Sequence, residues 1–215
     1  GIQYSYIGLR RTSVTGNGIG RPKSADMLAK EFAQSVRVCL KSGRAIRWRK
    51  ALQMLEADPV FRDSGAALLM ERTTRKLRSK AISLFNNLSS GHKIVLLTMS
   101  RLVETVEEKT LVILDEPEAH LHPPLLAAFV RSLSALMIDR NGVAIIATHS
   151  PVILQEIPKT CVWVLQRLGD ETRAERPQTE TFGENVGVLT REVFRLEVSQ
   201  SGFHRMLSEA ADRHS

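Results

Sequence analysis

The residues most able to do chemistry sit in three short stretches. The first is Thr110-Leu111-Val112-Ile113-Leu114-Asp115-Glu116-Pro117. Four apolar residues in a row predict a strand buried on both faces, and two adjacent carboxylates follow at its carboxyl end. Open α/β sheets bind their ligands at that end. A pair of acids at the tip of a dry strand is costly unless a cation sits opposite. Hydrated Mg²⁺ bridging the phosphates of a nucleotide meets that need. Asp115 would then hold the metal, and Glu116 would point at an attacking water. The ordinary alternative is a strand end with two solvated acids.

The second stretch is Leu88-Ser89-Ser90-Gly91-His92, which opens a helix. Ser89, Ser90 and Gly91 at a helix start expose amides that can receive a phosphate. Taken alone, such a turn reads as a plain serine cap. The third is Val143 to Ala147, a second apolar strand, followed by Thr148-His149-Ser150-Pro151. A neutral imidazole at His149 could hydrogen-bond a terminal phosphate and report its presence. His120 and His122 also suggest a metal. That reading is weak, because Pro123 and Pro124 follow at once and no third ligand has convincing spacing.

Elements must position these groups. Ser24 is a candidate N-cap, with Met27, Leu28, Phe32, Val36, Cys39 and Leu40 at helical spacing behind it. Residues 44–57 continue as a helix to Asp58-Pro59, and residues 66–86 are basic and helical. A helix is expected from the turn at 88–91 to about Glu108, and another from Pro123-Pro124 to about Asp139. Asn141-Gly142 is a turn. Residues 2–9 and Cys161 to Leu165 read as further strands, residues 168–180 as a surface loop, and residues 189–211 as a helical tail. Alternation of strands and helices implies an α/β fold, a mostly parallel sheet flanked by helices, with a helical lobe in the first half. The expected division is residues 1–87, strand and basic lobe, and residues 88–215, which carry all three chemical stretches.

Composition agrees with a globular protein. The 215 residues are 43% hydrophobic and 25% charged, which excludes wholesale disorder and collagen-like scaffolds. No apolar run approaches the roughly 20 residues that span a bilayer, and no secretory leader is visible. Two cysteines, Cys39 and Cys161, suggest buried thiols in a reducing compartment, hence the cytoplasm. The net charge of +7 is uneven: residues 1–109 hold 20 basic and 9 acidic side chains, residues 110–215 hold 10 and 14. The clusters Lys41, Arg44, Arg47, Arg49, Lys50 and Arg72, Arg75, Lys76, Arg78, Lys80 could neutralise nucleic-acid phosphates or form a solvated helix face. Trp48 alone gives no aromatic interleaving for single-strand stacking.

The order LSSGH, LVILDEPEAHLHPP and AIIATHSP resembles the ATP-binding cassette (ABC) ATPase head, a P-loop NTPase. More narrowly it resembles the soluble branch of SMC and RecF-like heads and the AAA-like ATPases of OLD- and Septu-type anti-phage systems. The resemblance is close over residues 85–155. Tyr6-Ile7-Gly8-Leu9-Arg10 and Glu180-Thr181-Phe182-Gly183-Glu184-Asn185 extend it towards the Septu-like and retron-associated ATPases. It implies ATP and Mg²⁺ as ligands. Asp115 resembles the Mg²⁺-associated Asp of Walker B, Glu116 the catalytic Glu, His149 the switch His, and Ser90 and Gly91 the signature residues at the γ-phosphate. Glu118-Ala119-His120-Leu121-His122 occupies the place of the D-loop, which couples two facing sites.

The resemblance further implies a second head as partner, with a nuclease and DNA as further partners and no membrane. His92 stands where transporters carry Gln, which favours the soluble branch. No Walker A loop is visible: in Gly16-Asn17-Gly18-Ile19-Gly20-Arg21-Pro22-Lys23-Ser24, Arg21 and Pro22 separate Gly20 from Lys23. The loop is therefore expected upstream of Gly1. Two other readings compete: a DNA-binding or scaffold module with a regulatory or degenerate ATP site, and an OLD-type nuclease, for which no acidic constellation follows His149.

Overall fold

The computed structural model describes Ile7 and residues 22–41, 43–71, 76–168 and 170–194. The expected strand at 2–9, the Gly16–Arg21 stretch, Arg72, Arg75 and most of the helical tail lie outside those residues. The chain divides into two compact units, residues 1–147 and 148–215.

The first unit is mainly helical. Ser24 caps α1 (Ala25–Cys39) as its sequence predicts, its side chain accepting the Met27 amide. The buried stripe is Ala29, Phe32, Ala33, Val36 and Cys39, so Met27 and Leu28 only flank it. Phe32 stacks on Phe85 of α4 (Leu77–Asn87) at 5.2 Å. α2 (Arg44–Leu55) buries Trp48, whose indole N–H donates to Ser100 Oγ at 3.0 Å, so this aromatic belongs to the core. A short α3 (Pro59–Asp63) follows, which periodicity did not suggest. Asp58 caps it and Pro59 opens it, the position where a missing amide costs nothing. A 3-10 turn spans Ala66–Glu71, where an α-helix was expected. α5 (Ser90–Thr105) packs on α1, α2 and α6 (Pro123–Asp139), and α2 also packs on α6.

Among the described residues the unit also holds two strands. β1 (Leu111–Asp115) and β2 (Val143–Ala147) pair in parallel, with Leu111 opposite Val143 and Asp115 opposite Ala147. Val112 is buried, but Leu111, Ile113, Val143 and Ile145 are each more than half exposed. The expectation of strands buried on both faces is therefore corrected. Alternate side chains point to opposite faces, and among the described residues only one face of this pair is covered.

The second unit contains α7 (Pro151–Leu154), an antiparallel hairpin of β3 (Val164–Leu168) and β4 (Glu171–Glu175), and α8 (Val186–Glu192). Leu154, Val162, Leu189 and Val193 form its core. Three expectations change here. The strand read from Cys161 starts at Val164, after a 3-10 turn at Lys159–Cys161. The charged loop at 168–180 includes β4, which presents exposed polar side chains and so carries no alternating apolar signal. Cys161 is exposed, not buried. Cys39 is buried, and desolvation pushes its thiol up to about 12. No helix among the described residues is long and apolar enough to cross a membrane.

Candidate nucleotide site

The carboxyl end of β1 carries the acidic pair. Asp115 is the last strand residue and Glu116 follows it, both exposed. The cost of holding two acids at a dry tip, argued from the sequence, does not arise in this environment. Glu116 has an unusual backbone instead. Its φ is +44°, a region that L-residues enter at a cost of about 1–2 kcal/mol. Its amide donates to the Ala147 carbonyl at 2.9 Å, so the pairing with β2 continues one residue past the strand. That bond fixes where the Glu116 backbone leaves the sheet.

The chain then turns through Pro117–His120. His120 is also left-handed, at φ +68°, and exposed. Leu121 donates to the Glu118 carbonyl at 2.9 Å. His122 has extended backbone and stands as N-cap of α6, with Pro123 in the first turn.

The serine-glycine turn lies beside this segment. Ser89 caps α5 by accepting the His92 amide, and its Oγ is 2.6 Å from His92 Nδ1. Ser90 is exposed in the first helical turn. Gly91 is buried, and a Cβ there would meet the His120 carbonyl oxygen at 2.7 Å. Glycine is thus required for the 116–122 segment to lie against the start of α5. The motif's glycine has a packing role within one chain, apart from any contact it makes with a phosphate.

His92 is buried and joins residues that spacing could not connect. Its Nε2 is 2.9 Å from Asp58 Oδ1, while His122 Nε2 is 3.4 Å from Asp58 Oδ2. Asp58 Oδ1 also accepts the Phe61 amide at 2.8 Å. Burial raises the Asp58 pKa, but the His92 hydrogen bond, the Phe61 amide and the two imidazoles outweigh it. The carboxyl is held below its ordinary range. Asp58 and His92 lie 34 residues apart, and no sequence signal pairs them. The metal reading considered for His120 and His122 is altered accordingly: His122 joins Asp58 and His92, and His120 is no part of the group.

His149 belongs to the second unit, two residues along the chain from the end of β2, and is exposed. Thr148 Oγ1 accepts the Ser150 amide at 2.9 Å, which shapes the turn around it, and Ser150 precedes Pro151 at the start of α7. In the same unit Glu180 accepts the amides of Lys159, Thr181 and Phe182, which lower its pKa. Glu180-Thr181-Phe182-Gly183 is thus a built turn, with Gly183 at φ +74°.

The basic residues divide. Arg44 is engaged by Glu107 and the Glu104 carbonyl. Lys41, Arg49, Lys50, Lys76, Arg78 and Lys80 are exposed.

Comparison with known proteins agrees with the motif content. Residues 56–155 match the family model described as "AAA domain, putative AbiEii toxin, Type IV TA system". Protein ea59 of Escherichia phage lambda is 45% identical over 230 residues, an alignment that covers 99% of this chain and 43% of that protein. The chain therefore spans less than half the length of this curated relative. The matched segment begins just before Asp58 and ends just after His149, so it contains every nucleotide-site candidate named above, and it supports an AAA-like, P-loop ATPase type of family for this stretch.

Proposed function

We propose that this chain carries the signature, Walker B and switch parts of an ATPase of the ABC/SMC-like kind. ATP-driven pairing of two heads controls a DNA-directed partner, a nuclease in the defence systems it resembles, in the cytoplasm and in anti-phage defence. The observation that carries the reading is the backbone of Glu116. A glutamate held left-handed directly after Asp115, with its amide tied to β2, is the kind of backbone outlier that clusters at functional sites.

The donor set fits the group the family implies. Asp115 offers hard carboxylate oxygen, exposed to a ligand, which suits Mg²⁺ on a triphosphate. When bound, the ion would neutralise charge on the phosphates. Glu116 orients and polarises water by accepting its proton. Ser90, exposed in the first turn of α5, offers a hydroxyl and a helix-start amide to the γ-phosphate of the facing head. Loss of that phosphate on hydrolysis removes the contact and lets the heads part. Asp115 would be the metal ligand, Glu116 and His149 the catalytic residues, and Ser89, Ser90 and Gly91 the nucleotide-binding turn. Within that turn Ser89 and Gly91 act through the shape of the helix start.

Glu116→Gln in the whole protein should lower ATP turnover by roughly 10²–10⁴, the scale for losing a positioned base, and leave ATP binding intact. Steady-state phosphate release and nucleotide titration measure the two. Unchanged turnover rejects the assignment.

A second reading is a DNA-binding or scaffold module with a regulatory ATP site. It is favoured by the exposed Lys41, Arg49, Lys50, Lys76, Arg78 and Lys80. Salt-dependent duplex binding without ATP, unaltered by Glu116→Gln, would support it.

A further inference from the structure

Next to the proposed nucleotide-binding turn, one cluster among the described residues combines the donor chemistry of a metal site with suitable geometry. We propose that Asp58, His92 and His122 bind a divalent transition metal of the Zn²⁺ class, clipping the starts of α3, α5 and α6 together.

Two imidazole nitrogens and one carboxylate oxygen are a donor set that Zn²⁺ takes with three protein ligands and one water. Ligands at about 2.0–2.1 Å from one tetrahedral ion stand about 3.3 Å apart. Here His92 Nε2 lies 2.9 Å from Asp58 Oδ1 and His122 Nε2 lies 3.4 Å from Asp58 Oδ2, and with one ligand atom taken from each residue the three lie within 4.8 Å of one another. Small side-chain shifts therefore bring all three onto one ion. The His92 and His122 rings are tilted by 49° with centroids 5.5 Å apart.

The surroundings suit such an ion. Asp58 and His92 are almost wholly buried, which removes competing water from two ligands. The His122 side chain is 45% exposed, which leaves an approach for the ion and room for a fourth, water ligand. Ser89 Oγ at 2.6 Å from His92 Nδ1 is the outer partner that ligating imidazoles usually have. With Nε2 on the metal, the Nδ1 proton donates to that hydroxyl. Without metal, Nε2–H donates to Asp58 and the hydroxyl donates to Nδ1. One serine serves both tautomers.

Such an ion would also link the nucleotide site to the helical lobe. Ser89 and His92 belong to the turn that opens α5, and His122 ends the segment after Glu116. The metal would hold both against Asp58.

The test loads the whole protein with ZnCl₂, removes loose metal by dialysis and counts zinc by mass spectrometry. About one ion per chain is expected. His122→Gln should weaken binding more than 100-fold, beyond the roughly 10–100-fold that loss of an outer partner costs. His120→Gln, a neighbouring exposed imidazole outside the cluster, should bind as the parent does. Circular dichroism confirms that each variant is folded. Independently of any variant, Co²⁺ added to the parent protein should give the strong visible bands of four-coordinate cobalt. No retained zinc, equal loss in both histidine variants, or only the weak spectrum of hydrated Co²⁺ would overturn the proposal. None of these readouts requires ATP turnover, so failure here leaves the ATPase reading standing, and the reverse.

Discussion

The β1–β2 pair has two ends, and each places two non-glycine residues in the left-handed region. At the amino end these are Lys109 and Asn141; at the carboxyl end, Glu116 and His120. Each end also holds a glycine whose Cβ would strike a main-chain oxygen: Gly142 against Thr110, Gly91 against His120. The amino end has a local account for all of this. Lys109 donates its amide to Arg140, Val143 donates to Thr110, and Asn141-Gly142 is the turn that returns α6 to β2. Asparagine tolerates such a turn readily. At the carboxyl end the left-handed residues are a glutamate and a histidine, both exposed. The same local strain serves connection at one end; at the other, on the function proposed above, it would present Glu116 to a ligand.

The largest effects should come from the two glycines. Gly142→Ala pushes a methyl group to 2.9 Å from the Thr110 oxygen, and stability should fall by about 1–3 kcal/mol. Gly91→Ala meets a tighter contact, 2.7 Å, but alanine returns up to about 1 kcal/mol of helix propensity within α5. A net loss of about 1–2 kcal/mol is expected. Chemical unfolding measures both. The two ends differ in the second readout, ATP turnover per folded molecule in the whole protein. Gly91→Ala displaces the 116–122 segment and should lower turnover, while Gly142→Ala should not. Equal loss of turnover in both would erase the distinction between the ends.

That distinction was only half legible in the sequence. Local signals are legible: Ser24 as a cap, Pro123 at a helix start, and the strands at 111 and 143 with acids following the first. These depend on neighbours within a few residues. Missed were features set by distant contacts. Asp58 reads as a helix terminator, yet it gathers His92 and His122 across the first unit. Gly91 reads as a phosphate-binding glycine, yet it is also pressed against the His120 carbonyl. The apolar runs at 111–114 and 143–147 read as wholly buried, because composition reports what a strand can bury and not what lies over it. β4 is not legible because Ala174 is its one apolar residue, which gives no alternating pattern.

A middle-sized effect is expected at the left-handed residues. Glycine adopts this region without steric cost, though it loses more entropy on folding. Lys109→Gly and His120→Gly should therefore each change stability by less than about 1 kcal/mol. Lys109→Gly should leave ATP turnover at the parent level. His120→Gly removes an exposed imidazole four residues after Glu116 and frees the backbone of the segment, and a fall of up to roughly tenfold is expected, about 1.4 kcal/mol in the barrier. Full turnover in His120→Gly would show that the side chain is dispensable and that its conformation alone is used.

The smallest effect should lie at Glu107, the ionic centre of the amino end. Its two carboxylate oxygens pair separately with Arg44 at 2.5 Å and Arg140 at 3.2 Å. The Glu107 side chain is more than half exposed, so water and salt screen both pairs. Glu107→Gln should cost less than about 1 kcal/mol, and the difference from the parent should shrink in high salt. Thr110 would still hold the local turn, since its hydroxyl donates to the Glu107 carbonyl and accepts the Glu107 amide, neither of which needs the side chain. Turnover should be unchanged. A large loss of activity from this charge would mean that the amino end communicates with the reactive one through more than the rigidity of the strands between them.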